Sequence, residues 1–165
     1  MKKLIFAIAV MAISALGAHA QDVTKKIVIS VGVEGGFPVG SAGLGDVYSF
    51  AIGGSLQVEY LVSPDFGLTL KAGYLDYLAK GGLGDIGFIP VLVGFRYHFT
   101  PKVYASAQLG ISFPTLNGGG SFFTYAPGIG FQLSRHVDLL ARYEAASKSG
   151  FTYGNVGARL AYSFN

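Results

Sequence analysis

Seven charged residues of this 165-residue chain, Glu34, Glu59, Lys71, Arg96, Arg142, Glu144 and Arg159, fall on one face of segments whose residues alternate between apolar and small or polar types. Glu59, Lys71, Arg96, Arg142 and Arg159 each lie four to six residues from a tight turn or the C-terminus, which predicts one shared layer. Glu34 and Glu144 should sit a few residues higher. In an enclosed space with little water such charges must pair, since an unpaired buried ion costs several kcal/mol. The set could serve as a polar plug that holds a closed structure in register, or as an ion or proton path. The plug is the better reading, because the bore of an eight-stranded barrel is only just wide enough for its own side chains.

Other chemistry has less to work with. His98 falls within a segment and His136 in a turn; neither has a sequence-local serine and acid, although a triad need not be local. The chain has no cysteine, so there is no His/Cys cluster for a metal, and no disulfide scaffold. Two glycine-rich loops echo each other, Gly43-Leu-Gly-Asp46 and Gly82-Leu-Gly-Asp85. A phosphate cradle would need a helix to follow, but alternating segments follow, so these read as flexible re-entry turns, as does Asn117-Gly-Gly-Gly-Ser121. No cofactor and no catalytic residue is expected.

The elements that position the charges announce themselves by repetition. Tyr60-Leu-Val-Ser63, Tyr97-His-Phe-Thr100, Phe131-Gln-Leu-Ser134 and Tyr162-Ser-Phe-Asn165 each run aromatic, any residue, apolar, small polar. The first three pass into a turn and a new alternation; the fourth meets the end of the chain. A recurrence of roughly 35 residues with all tight turns on one side is the pattern of an up-and-down barrel. Eight segments alternate with period two and read as strands near 26–36, 48–60, 67–77, 88–99, 103–113, 122–133, 137–147 and 155–164. The fold class expected is therefore all-β, an eight-stranded antiparallel up-and-down transmembrane β-barrel. All four opposite loops should be about six to twelve residues, too short for a large receptor surface.

Alternation alone does not say which face points out. The face carrying Tyr48, Phe50, Ile52, Leu56, Val58 and Tyr60, with its counterparts on other strands, would overfill so narrow a bore. Bulky side chains therefore point to lipid, and the Gly-, Ser- and Ala-rich face points inward. Closure leaves no unpaired edge where water is absent. Tyr60, Tyr97, Phe131 and Tyr162 then form an aromatic girdle just above the turns, on the periplasmic side. Pro90 and Pro127 fall inside strands, near their loop ends, where frayed pairing or a bulge must absorb the missing donor. Gly53, Gly73, Gly94, Gly110, Gly128, Gly130 and Gly157 face inward and would either leave a cavity or let the sheet curve.

Composition places this barrel in an exported context. Lys2 and Lys3, an apolar stretch from Leu4 to Leu16, and Ala18-His19-Ala20 read as a signal peptide over residues 1–20, leaving a single barrel domain over 21–165. Without its leader the chain carries ten Lys and Arg against nine Asp and Glu, with no basic stripe to bind nucleic acid. A hydrophobic fraction of 51% with 13% charge suits a barrel wetted by lipid.

Segments such as Ile89-Pro-Val-Leu-Val-Gly-Phe-Arg-Tyr-His-Phe99 and Val137-Asp-Leu-Leu-Ala-Arg-Tyr-Glu144, with the ending Leu160-Ala-Tyr-Ser-Phe164, resemble the small eight-stranded OmpA/OmpX/OmpW-type outer-membrane barrels. The resemblance spans the chain beyond the leader. It implies a monomer in the Gram-negative outer membrane, with outer-membrane lipid around it and the barrel-assembly machinery as a partner during insertion. Leu160, Tyr162 and Phe164 would be the assembly signal, although Phe164 is penultimate and Asn165 follows. The chain ends with the barrel, so no peptidoglycan-binding domain is expected after it. The resemblance is poor for activity, since one barrel hosts unrelated functions. A structural or surface-interaction role with a plugged polar lumen is expected first. The alternatives are a narrow conduit for small, apolar molecules, as in OmpW-like barrels, and a lipid-modifying enzyme of the deacylase or palmitoyltransferase kind.

Overall fold

The computed structural model describes residues 27–41, 43–81, 84–115 and 120–164. The expected signal peptide, the Gly82-Leu83 half of the second glycine-rich loop, Asn117 and Asn165 lie outside the described residues. Eight strands follow in order: β1 Ile27–Gly40, β2 Tyr48–Leu61, β3 Phe66–Ala79, β4 Ile86–His98, β5 Val103–Pro114, β6 Phe122–Gln132, β7 Val137–Lys148 and β8 Phe151–Ser163. Each pairs antiparallel with the next, and β8 returns to β1 with Ser30 opposite Ser163 and Glu34 opposite Arg159. The transmembrane barrel is closed, so no strand edge is left to solvate.

The repeated motif explains its own recurrence. In the turns at 62–65, 99–102 and 133–136, the small polar residue accepts a backbone N–H from three residues on. Phe66 donates to Ser63 Oγ at 3.1 Å, Val103 to Thr100 Oγ1 at 3.0 Å and Val137 to Ser134 Oγ at 3.1 Å. The hydroxyl thus reinforces the donor that closes each turn, which at Phe66 and Val103 is shared with the carbonyl of the same small polar residue at 3.3 Å. The apolar face points outward, as volume requires: Val33, Val93, Leu109 and Ile129 are all more than half exposed. Tyr60, Tyr97, Phe131 and Tyr162 are also exposed, beside the turns or the chain end.

Four local features depart from the sequence reading. The Gly43 loop holds a helical turn, α1 Leu44–Val47, where a flexible re-entry turn was expected. Gly43 supplies a φ of 87°, Leu44 is buried, and Lys80 Nζ donates to the Gly45 carbonyl at 2.7 Å. The fourth loop is a two-residue turn, Ser149-Gly150, with φ of 50° and 83°, the paired positive values of a type I′ hairpin. A register shift between Tyr48 and Phe50 turns Tyr48 away from the outward set and onto the lumenal Tyr77 and Tyr153. Pro127 sits mid-strand in β6 and not near its loop end.

Neither proline disturbs the register. Pairing of β3 with β4 lapses between Ala72/Val91 and Leu75/Phe88 and resumes unshifted. Pairing of β6 with β7 lapses in the same way between Tyr125/Ala145 and Gly128/Arg142. On their other sides Pro90 and Pro127 pair normally with Ser112 and Ala107. The absent N–H interrupts one ladder only, which is frayed pairing without a bulge. The inward glycines serve curvature: a Cβ at Gly53 or Gly94 would strike the backbone of Tyr74 or Ala107 on the neighbouring strand.

Candidate functional site

The strands bring the lumenal charges together as two clusters, where one layer with two higher outliers was expected. In the first, Lys71 Nζ lies 3.0 Å from Glu144 Oε2 and 3.3 Å from Glu34 Oε1. Arg142 Nη2 pairs with Glu34 Oε2 and, at 2.7 Å, with Glu144 Oε2. Arg159 Nε is 3.6 Å from Glu34 Oε1 and donates to Ser55 Oγ at 2.9 Å, while Ser55 donates to Glu34 at 2.5 Å. Lys71, Arg142 and Arg159 all gather on the two glutamates, so counting positions from the nearest turn does not tell which charges meet.

The second cluster lies nearer the turns. Arg96 Nη1 is 3.2 Å from Glu59 Oε2, and Nη2 is 3.8 Å from Asp138 Oδ1. Tyr104 donates its hydroxyl to Asp138 at 2.5 Å and lies 4.1 Å beneath the Arg96 guanidinium. Gly130 makes room for that ring, since a Cβ there would overlap it. Asp138 and Tyr104 were absent from the sequence-derived set. The signal for Asp138 was parity: it shares the inward face of β7 with Arg142 and Glu144. Between the clusters, Gln108 Nε2 donates to Gln57 Oε1 and Thr69 Oγ1, both at 3.1 Å.

The eight buried charges balance, four acids against four bases. The upper cluster carries one surplus positive charge and the lower one surplus negative charge. Lys71 and Arg159 are fully buried. Buried pairs of this kind contribute little net stability but punish the loss of one partner. Arg96→Ala should therefore lower stability by about 3 kcal/mol, because Glu59 and Asp138 would then face each other without a cation. Denaturant unfolding in micelles checks this; an unchanged midpoint would show that the lower cluster is not a folded-state constraint.

Towards the loops the inward face becomes largely apolar. Ala51, Leu75, Tyr77, Ile86 and Phe88 form a buried cluster, against which Tyr48, Phe122 and Tyr153 pack. Ring centroids lie 5.1 Å apart for Phe88 and Tyr153, 5.4 Å for Phe88 and Phe122, and 5.8 Å for Tyr77 and Phe88, in tilted or edge-on contacts. The lumenal polar set meets these rings at Asn155, which donates to the Tyr77 hydroxyl at 3.3 Å.

The histidines are drawn into ring contacts. His98 lies 5.3 Å from the Tyr104 ring; His136 stacks on Tyr162 at 5.7 Å, with Nδ1 3.2 Å from the Ser163 carbonyl oxygen. Among the described residues neither imidazole hydrogen-bonds a serine hydroxyl or a carboxylate.

A closed eight-stranded barrel with a greasy outer wall and ionised lumen defines an outer-membrane barrel protein. Residues 6–164 match the outer membrane protein beta-barrel domain family, and the chain belongs to it. No curated protein sequence matches the chain. Similar solved structures include Ail, the attachment invasion locus protein of Yersinia pestis, with TM-score 0.60 and 16% identity over 84% of this chain and 98% of that one. Neisserial surface protein A gives 0.54 and 15% over 84% and 97%, and the N-terminal barrel of Pseudomonas aeruginosa OprF gives 0.53 and 15% over 83% and 97%. At these identities the likeness is one of fold.

Proposed function

We propose that this chain is a closed, non-catalytic, monomeric barrel of the Gram-negative outer membrane, exported by its leader, with a structural or surface-interaction role. The observation that carries the reading is that side chains fill the lumen at two heights by different means, ion pairs nearer the turns and stacked rings nearer the loops. Filling of this kind suits a barrel of eight strands, whose interior is no wider than its side chains need. The conduit reading loses its main support because the inward glycines are taken up by close backbone approach or, at Gly130, by the Tyr104 ring. The enzyme reading finds no serine hydroxyl or carboxylate hydrogen-bonded to either imidazole among the described residues. Tight turns gathered on one side support reading that side as periplasmic, with outer-membrane lipid and the assembly machinery as partners.

A Yersinia pestis Ail structure contains the heparin analogue sucrose octasulfate. Carrying that chemistry over finds little support at the loop end of this chain. Lys80 and Lys148 share the loop end with Asp46, Asp76 and Asp85, and Lys80 is engaged with the Gly45 carbonyl.

Planar-bilayer recording of the refolded chain tests the proposal. The wild type should be silent; a stable open level would overturn the closed lumen and bring transport forward.

A further inference from the structure

The turn end of the lumen opens into a cavity of about 530 Å³, with Glu59, Arg96, Asp65 and Arg135 among its walls. That volume falls in the range of small-molecule sites, roughly 300–1,000 Å³. Its floor is electrostatically incomplete. Among the described residues Arg96 is the one cation paired to both Glu59 and Asp138, while Lys71, Arg142 and Arg159 all pair within the other cluster. Glu59 Oε1 and Asp138 Oδ2 have no hydrogen-bond partner, although the residues are only 3% and 1% exposed. His98 Nδ1, on the cavity wall, is likewise unpartnered. The Glu59 carboxylate lies over Gly67, one residue past the start of β3, in space a side chain there would take.

We propose that this cavity binds a small primary ammonium ion, an alkylamine or diamine, entering from the turn side. An ammonium group carries one positive charge, the amount by which the lower cluster falls short. Its N–H donors suit the carboxylate of Glu59 and the lone pair of a neutral His98 Nδ1, whose residues line the cavity; Asp138, which does not line it, adds only its charge. The hydrocarbon stem lies against Leu61 and Phe99, which share the cavity wall. At the rim, Asp65 favours a cation and Arg135 opposes one, which fixes the sign of each substitution.

The test titrates the mature chain, folded in non-ionic micelles at low salt, with n-butylamine and 1,4-diaminobutane, followed by calorimetry and amide chemical shifts. Both amines should saturate with shifts at residues of the mouth. Tetramethylammonium, which has the charge but no N–H, should bind about tenfold more weakly, the equivalent of about 1.4 kcal/mol. Glu59→Gln should weaken the amines at least as much. Arg135→Ala should tighten them and Asp65→Asn loosen them, each by about twofold to fivefold at low salt. These two exposed turn variants carry the test if Glu59→Gln does not refold. The proposal is overturned by lack of saturation in the millimolar range, by equal binding of tetramethylammonium, or by weaker binding on Arg135→Ala. The last result would mark a site for anions or zwitterions.

Discussion

Glu34→Gln is expected to destabilise the barrel by about 3–5 kcal/mol, the largest loss from any single lumenal substitution. Glu34 receives Lys71, Arg142 and Ser55, and Arg159 lies 3.6 Å away. Removing its charge leaves Lys71, Arg142 and Arg159 around Glu144 alone, raising the cluster's surplus from one positive charge to two inside a wall that excludes water. The loss arises from stranded cations, so removing a cation as well should recover it. Glu34→Gln with Lys71→Met keeps the original surplus and should regain at least half of the lost stability. Urea unfolding of the two variants and the wild type in the same micelles checks this. A single variant within about 1 kcal/mol of wild type, or a double variant no better than the single, would sink the charge-balance account.

How far the lumen was legible in advance follows from period and volume. Alternation along β2 and β4, with bulky residues unable to fit inside, gave the outward face directly, and Glu59, Arg96 and their counterparts followed by parity. Parity also held for Phe88, and it holds for Asp138 and Tyr77, whose partners lie on distant strands that parity alone does not name. Tyr48 was not legible, because one irregular pair at Ser49 reverses the face of everything before it on that strand. Nor was the split into two clusters, because strand stagger decides which residues of different strands meet. Lys71 and Glu144, 73 residues apart, illustrate this. The prolines were legible as weak points of pairing, but which ladder each one interrupts depends on which neighbour its nitrogen faces.

If the lumen is closed twice, neither closure alone should control conductance. Phe88→Ala with Tyr153→Ala empties the loop-side layer, where Phe88 meets Tyr77, Phe122 and Tyr153. The ion cluster beneath it is untouched, and this variant should stay silent in planar bilayers. Arg142→Ala with Glu144→Ala removes a pair 2.7 Å apart and leaves the cluster's net charge as it was, so electrostatic repulsion does not confuse the result. This variant should be silent too, because the rings remain. All four substitutions together should give discrete single-channel events, since a water-filled path then runs past both constrictions. The aromatic truncations will each lower stability by about 3–5 kcal/mol if the site does not collapse, so folding must be verified before recording. Opening by the aromatic pair alone would assign closure to the rings and leave the ions a purely architectural part. Opening by the ion pair alone would do the reverse. Silence of the quadruple variant would mean that the remaining side chains, with Gln57 bonded to Gln108 across the lumen, close the bore without either layer.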